Sequence, residues 1–195
     1  MSLHPFGWVL CRTNAGAMTE VLHLLEAGYC TALVGGGGPL RALALAANDL
    51  KEGRRTDHPE LVLFPSWGAV QDYAAHDPAG GDLQPLVDLV ARHGTEAILT
   101  AVSQLHDEQG AQVTVSTAHK AKGREWTRVR IADDFPQPKD TDQRDANGNP
   151  VPTAIDDADA RLAYVAITRA RHNFDRGGLA WIDHHPDGAR SRRSQ

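Results

Sequence analysis

Fixed positive charge set among small and apolar residues occurs twice in this 195-residue sequence, at Ser116 to Trp126 (STAHKAKGREW) and at Arg161 to Arg171 (RLAYVAITRAR). Arginine stays protonated in proteins and presents a planar fork of N–H donors, which suits the oxygens of an anion. At about 100° per residue, Ala158, Leu162, Val165 and Ala166 predict one helical stripe, and Arg169 falls on it one turn further along. That places its charge beside apolar surface, as a binding group for an anionic ligand requires. Arg171 points to the other side, where Tyr164 and Ile167 supply more apolar surface, so the helix is expected to be buried on two faces. Taken alone, Arg169 favours a plainer role, snorkelling over the core or pairing with the nearby acids.

The elements that must position these groups alternate. Trp8 to Cys11 predicts a strand, Asn14 an N-cap for a helix to Ala27 that Gly28 ends, and Thr31 to Val34 a second strand. Leu40 to Leu50 predicts a helix stopped by Gly53. Between Glu60 and Gly110 the pattern is helical: Ser66 caps Trp67 to Ala75, Asp82 caps Leu83 to His93, and Thr95 opens a helix to His106. Val113 with Val115, and Val129 with Ile131, mark further strands. The β-α alternation predicts an α/β fold with a mainly parallel sheet covered by helices. Pro136 to Pro152 is expected to be a mobile loop before a final helix beginning at Asp156 and Asp157, and Asp183 onward a polar tail.

Composition narrows the classes. A hydrophobic content of 41% suffices for a single good core. No apolar run approaches the roughly 20 residues of a membrane span and no secretory leader is evident, so a cytoplasmic location is expected. A net charge of −5 argues against indiscriminate polyanion binding, so any DNA contact must be local. Lys120, Lys122, Arg124, Arg128 and Arg130 form one such basic patch, although Arg128 and Arg130, alternating with Val129 and Ile131, fit a solvated strand edge better. Cys11 and Cys30 lack metal or redox spacing and are expected to be reduced thiols, and His184 and His185 beside Asp183 lack convincing ligand geometry, so no metal site is expected. There is no Walker A loop: Gly35 to Gly38 is followed by Pro39 and predicts a strand-to-helix turn. Ile131 to Asp134 superficially resembles a metal-binding Walker B strand, but it follows the first basic run, and we do not assign it magnesium.

The two basic runs resemble motifs V and VI of the UvrD/Rep family of superfamily 1 DNA helicases, and Trp8 to Ala17 (WVLCRTNAGA) followed by Leu33 to Gly36 resembles that family's motif IV and the turn after it. The three segments keep the family order, and the short connection with Ala132 to Phe135 looks most like the F-box DNA helicase branch. The resemblance implies a second RecA-like motor domain over residues 7–182, with a reduced helical insert at 60–110 where relatives carry an accessory subdomain and a flexible tail at 183–195. It further implies ATP with Mg2+ shared with an absent N-terminal P-loop lobe, translocation on single-stranded DNA in the 3′ to 5′ sense, and no hydrolysis by this chain alone.

By the same resemblance Arg12 and Arg169 are arginine fingers, catalytic groups that meet the γ-phosphate together, and Glu125 accepts a hydrogen bond from the ribose. Ordinary alternatives are a salt bridge for Arg12 and a capping role for Glu125. Thr117 and His119 match the part of motif V that touches DNA phosphate or relays nucleotide state, and Lys120 and Lys122 are phosphate contacts or solvated side chains. Helix capping is the alternative for Thr117, and His119 beside two lysines is expected to act more often as a neutral donor than as a cation. One departure stands out: Cys11 occupies the place where the family often has an adenine-stacking Tyr, with Trp8 and Trp126 substitutes by type only. The alternative function is a non-catalytic helicase-like module that binds DNA or a protein partner.

Overall fold

The computed structural model describes residues 7–77, 83–145 and 147–186. Its elements are β1 (Gly7–Cys11), α1 (Asn14–Glu26), β2 (Thr31–Leu33), α2 (Gly38–Lys51), α3 (Trp67–His76), α4 (Gln84–Ser103), β3 (Val113–Thr117) and β4 (Trp126–Ile131). There follow β5 (Asp140–Arg144), β6 (Pro150–Pro152), α5 (Asp157–Ile167), β7 (Ala170–Asp175) and a 3-10 helix at Gly177–Asp183. The chain divides into two compact units, one comprising Thr13–Val115 and the other Gly7–Arg12 with the residues from Ser116 on.

In the first unit β2 and β3 pair in parallel, Thr31 opposite Val113 and Leu33 opposite Val115. The glycine run after β2 is the expected turn: Gly35 and Gly36 have φ of +85° and +71°, which an L side chain resists, and α2 follows with Pro39 in its first turn. Ser66 caps α3 as expected, accepting from the Ala69 N–H. The cap of α1 is shifted by one residue from expectation, because the Thr13 hydroxyl accepts from the Gly16 N–H. The expected cap Asp82 lies outside the described residues. Gly94, with φ +77°, breaks α4 where two helices were expected, but Thr95 is buried and donates to the Asn48 side chain. Helix α4 packs against α1, α2 and α3, so the helices expected as an insert share one compact unit with the first two.

That packing sets a pH dependence. His93 on α4 lies 6.4 Å ring to ring from His23 on α1. Burial, reinforced by the charge of Arg92 and then His23 and only partly offset by Glu26, lowers the imidazole below its ordinary pKa of 6.5. A base with a depressed folded pKa binds fewer protons folded than unfolded, so its stability contribution is complete above pH 6.5 and is lost as pH falls through the folded value. Thermal midpoints should therefore fall below pH 6.5 more steeply in the parent than in His93→Gln; identical slopes would refute the assignment.

In the second unit β1 pairs with β4 and β4 with β7, all in parallel. Arg128 and Arg130 therefore sit on a strand paired on both sides, which corrects the strand-edge expectation. The core gathers Leu10, Val129, Ile131, Phe135, Leu162 and Ala166. Helix α5 ends earlier than expected, at Ile167 with Thr168 as C-cap, so Arg169 lies beyond the helix and Arg171 lies in β7. Only one face of α5 is buried, through Leu162, Ala163 and Ala166, while Tyr164 is 70% exposed and Ile167 37%. The expected second apolar face is therefore open to solvent, because the helix meets the core along a single stripe.

Two segments are more ordered than their composition suggested. Within Pro136 to Pro152, β5 and β6 form an antiparallel hairpin. The Asp145 carboxylate accepts from the Asn149 and Asn147 N–H groups, which closes the turn and lowers the carboxyl pKa. The expected tail begins later than Asp183, which ends the 3-10 helix and pairs with Arg176. His185 is buried, with its ring nitrogen 3.0 Å from the Thr153 carbonyl. Residues 187–195 lie outside the described residues.

Candidate functional site

Every expected site residue belongs to the second unit, and the parallel strands sort them to two ends. At the C-terminal end of β1, the Arg12 main-chain N–H donates to the Asp134 carboxylate at 2.8 Å, and its Nε donates to Asp159 in the first turn of α5 at 2.8 Å. The Ala118 N–H donates to the Cys11 carbonyl at 2.8 Å, which ties the turn after β3 to the same end. That turn carries Thr117, His119, Lys120 and Lys122. Thr117 is buried and its hydroxyl accepts from the Lys120 N–H, the capping arrangement, while His119, Lys120 and Lys122 are exposed.

At the N-terminal ends of β4 and β7 stand Arg124, Glu125, Trp126, Arg169 and Arg171. The Trp126 N–H donates to the Arg169 carbonyl at 2.8 Å. The Arg169 guanidinium donates through Nε to the Val165 carbonyl, through Nη1 to the Arg124 carbonyl and through Nη2 to the Thr168 hydroxyl, each at 3.0 Å. Those acceptors are all neutral, so among the described residues no carboxylate pairs with Arg169. Glu125 is about half exposed and accepts from Arg171 Nε at 3.0 Å. Sequence reasoning missed Arg171 here, because it placed that residue on the far side of a helix that in fact has already ended.

The main chains of Arg12 and Arg169 are not brought together. Leu10 pairs with Ile131 and Ala170 with Trp126, so Arg12 lies beyond one end of β4 and Arg169 just before the other. The two side chains hold different partners on the same helix: the Arg12 Nε lies on Asp159 in the first turn of α5 and the Arg169 Nε on the Val165 carbonyl six residues further along, about 9 Å by the helical rise.

The ring expected to replace a stacking Tyr at Cys11 has a different setting. Cys11 is fully buried. Trp8 and Trp126 stack on each other at 4.0 Å and 18°, with the Arg124 guanidinium 5.2 and 5.7 Å from their centroids. A guanidinium nearly equidistant from two stacked rings lies along their edges, where it covers the pair. Asp134 accepts from the Arg12 main chain, and the described residues include no group of three or more His, Cys, Asp or Glu placed to hold a metal.

The family described as the UvrD-like helicase C-terminal domain matches residues 75–174, spanning the end of α3 to the end of β7 and both basic runs. The chain is also similar to F-box DNA helicase protein 1 of Schizosaccharomyces pombe, 25% identical over an alignment of 137 residues that covers 66% of this chain and 15% of that protein. The chain thus corresponds to a small part of the length of that relative.

Proposed function

Since this chain belongs to the UvrD-like helicase C-terminal domain family, we propose that it is the second, RecA-like motor domain of an ATP-dependent DNA helicase or translocase. The observation that carries the proposal is the Arg169 guanidinium, which among the described residues bonds only neutral acceptors. Arginine has five N–H donors, so three bonds to neutral groups leave donors and a full charge to offer an anion.

In this proposal ATP with Mg2+ is gripped by an N-terminal P-loop lobe, and Arg169 reaches the γ-phosphate from across the cleft. A finger of this kind stabilises charge spread over the transferring phosphoryl oxygens. Glu125 accepts from the ribose, for which its carboxylate has capacity beyond the Arg171 bond. Arg12 meets the γ-phosphate with Arg169, and His119, Lys120 and Lys122 are phosphate contacts for single-stranded DNA. Thr117 positions that turn through its cap. The described residues include no helix long and apolar enough to cross a membrane.

The test pairs two measurements. This chain alone should bind single-stranded DNA weakly without hydrolysing ATP, and the polypeptide carrying it together with a P-loop lobe should hydrolyse ATP in a DNA-stimulated manner. Hydrolysis by the chain alone, or a two-lobed protein whose hydrolysis ignores DNA, would overturn the proposal. DNA binding without any hydrolysis in the two-lobed protein would instead identify a non-catalytic module.

A further inference from the structure

We propose that Arg171 is a positioning residue that aims the Glu125 carboxylate at the nucleotide sugar and so sets how strongly the site selects nucleotides that carry the bonded hydroxyl. The assignment rests on the ribose role given above to Glu125. Glu125 is clamped through both of its neighbours. The Arg124 carbonyl accepts from Arg169 Nη1 at 3.0 Å, and the Trp126 N–H donates to the Arg169 carbonyl at 2.8 Å. With the main chain held on either side, the freedom that remains to Glu125 is in its side chain. Arg171 restricts it. One residue past Ala170, which pairs with Trp126, Arg171 donates through Nε to Glu125 Oε2 at 3.0 Å. Oε1 has no hydrogen-bond partner among the described residues. An ionised carboxylate only accepts, so a held oxygen with open lone pairs suits a hydroxyl donor.

The exposure of the pair decides what Arg171 contributes. The side chains of Arg171 and Glu125 are 62% and 49% exposed, and ion pairs this open add little to stability. Orientation is the effect that remains. A glutamate side chain loses rotamer freedom when it grips a ligand; a partner that has already ordered it reduces that loss. The bond also crosses 46 positions, from the residue before β4 to the second residue of β7, so the sheet pairing itself brings the guanidinium to the carboxylate.

A rival account has Arg171 act only through its charge, by attracting the triphosphate. Loss of charge weakens every nucleoside triphosphate alike. Loss of orientation weakens most the nucleotides that offer Glu125 a hydroxyl and spares those that do not. Glutamine separates the two accounts, because its amide nitrogen occupies the same place along the side chain as the arginine Nε and donates without a charge.

The experiment measures DNA-stimulated hydrolysis of ATP, 2′-deoxy-ATP and 3′-deoxy-ATP by the two-lobed protein, with thermal melts to confirm folding. In the parent, removing the hydroxyl that Glu125 binds should lower kcat/KM about tenfold. We expect Arg171→Ala to raise KM for ATP about fivefold with a much smaller change in kcat, and to shrink the hydroxyl preference to about twofold. Arg171→Gln should restore most of that preference. In a Glu125→Ala background, Arg171→Ala should change the preference no further. An unchanged preference in Arg171→Ala, or an equal loss for all three nucleotides that Arg171→Gln fails to rescue, overturns the proposal. A parent that hydrolyses the three nucleotides equally well would overturn the ribose role of Glu125 and this proposal with it, and a parent that hydrolyses none would overturn the motor reading. A preference that Glu125→Ala erases and Arg171→Ala leaves intact removes only the role of Arg171.

Discussion

Arg169→Ala lowers the DNA-stimulated ATP turnover of the complete two-lobed protein by about 10³-fold or more, within the range that an arginine finger contributes to phosphoryl transfer. The size of the effect comes from charge that develops only as the phosphoryl group transfers, so binding of ATP should change far less than turnover. The same side chain also has a structural role, because it ties the Val165 and Arg124 carbonyls to the start of β7. Losing those bonds costs about 1–3 kcal/mol of stability, which would lower a melting temperature without abolishing folding. Arg169→Lys separates the roles: it keeps the charge, loses the fork, and should still turn over far more slowly than the parent. Arg12→Ala should lower turnover by orders of magnitude as well, since its guanidinium is the second group assigned to the phosphate. Turnover of either variant at the parent rate would remove that residue's finger assignment.

The largest stability effect is expected at Gly177→Ala. Gly177 has φ +42°, and a Cβ there would lie 1.9 Å from the Ile131 carbonyl oxygen and 3.0 Å from its carbon. Ile131 is the last residue of β4 and is fully buried, so the atom that would have to move is fixed main chain. Gly178 is equally confined, with a Cβ 2.3 Å from the Ala132 carbonyl oxygen. Overpacking against backbone exceeds the usual small-to-large cost, and we expect a loss of about 3 kcal/mol or more. Urea unfolding should show it as a much reduced midpoint. Gly148→Ala is the comparison: its φ is +81°, but nothing lies within 4 Å of the added Cβ. The strain of a left-handed alanine, about 1 kcal/mol, should there be confined to the hairpin turn. Equal midpoints for the parent and Gly177→Ala would mean that the contact with β4 is not rigid.

Much of the local structure was legible because it depends on neighbours in sequence. Ser66 caps α3, Gly28 and Gly53 follow α1 and α2, and the glycine run before Pro39 makes a turn, each through contacts a few residues apart. The errors arose where local pattern competed with distant packing. Arg169 was read as a continuation of an apolar helical stripe, but α5 stops at Ile167 so that β7 can pair with β4. The segment from Pro136 to Pro152 looked like a loop by composition, yet Asp145 closes it into a hairpin.

By itself the sequence determined which chemical groups this protein can offer: guanidinium forks at Arg12 and Arg169, a carboxylate at Glu125, a basic turn around His119, and no Walker A loop in the chain. It also carried the family, since motifs V and VI are contiguous strings whose order survives without a fold. Tertiary structure alone decided which of these groups share an end of the strands. A turn of a few residues after β3 carries the chain from the end near Cys11 to the start of β4, and α5 carries it back to the start of β7, so neighbours in sequence part company while Arg12 and Asp159 meet across 147 positions. Register between parallel strands is set by long-range packing, which no single stretch of residues encodes.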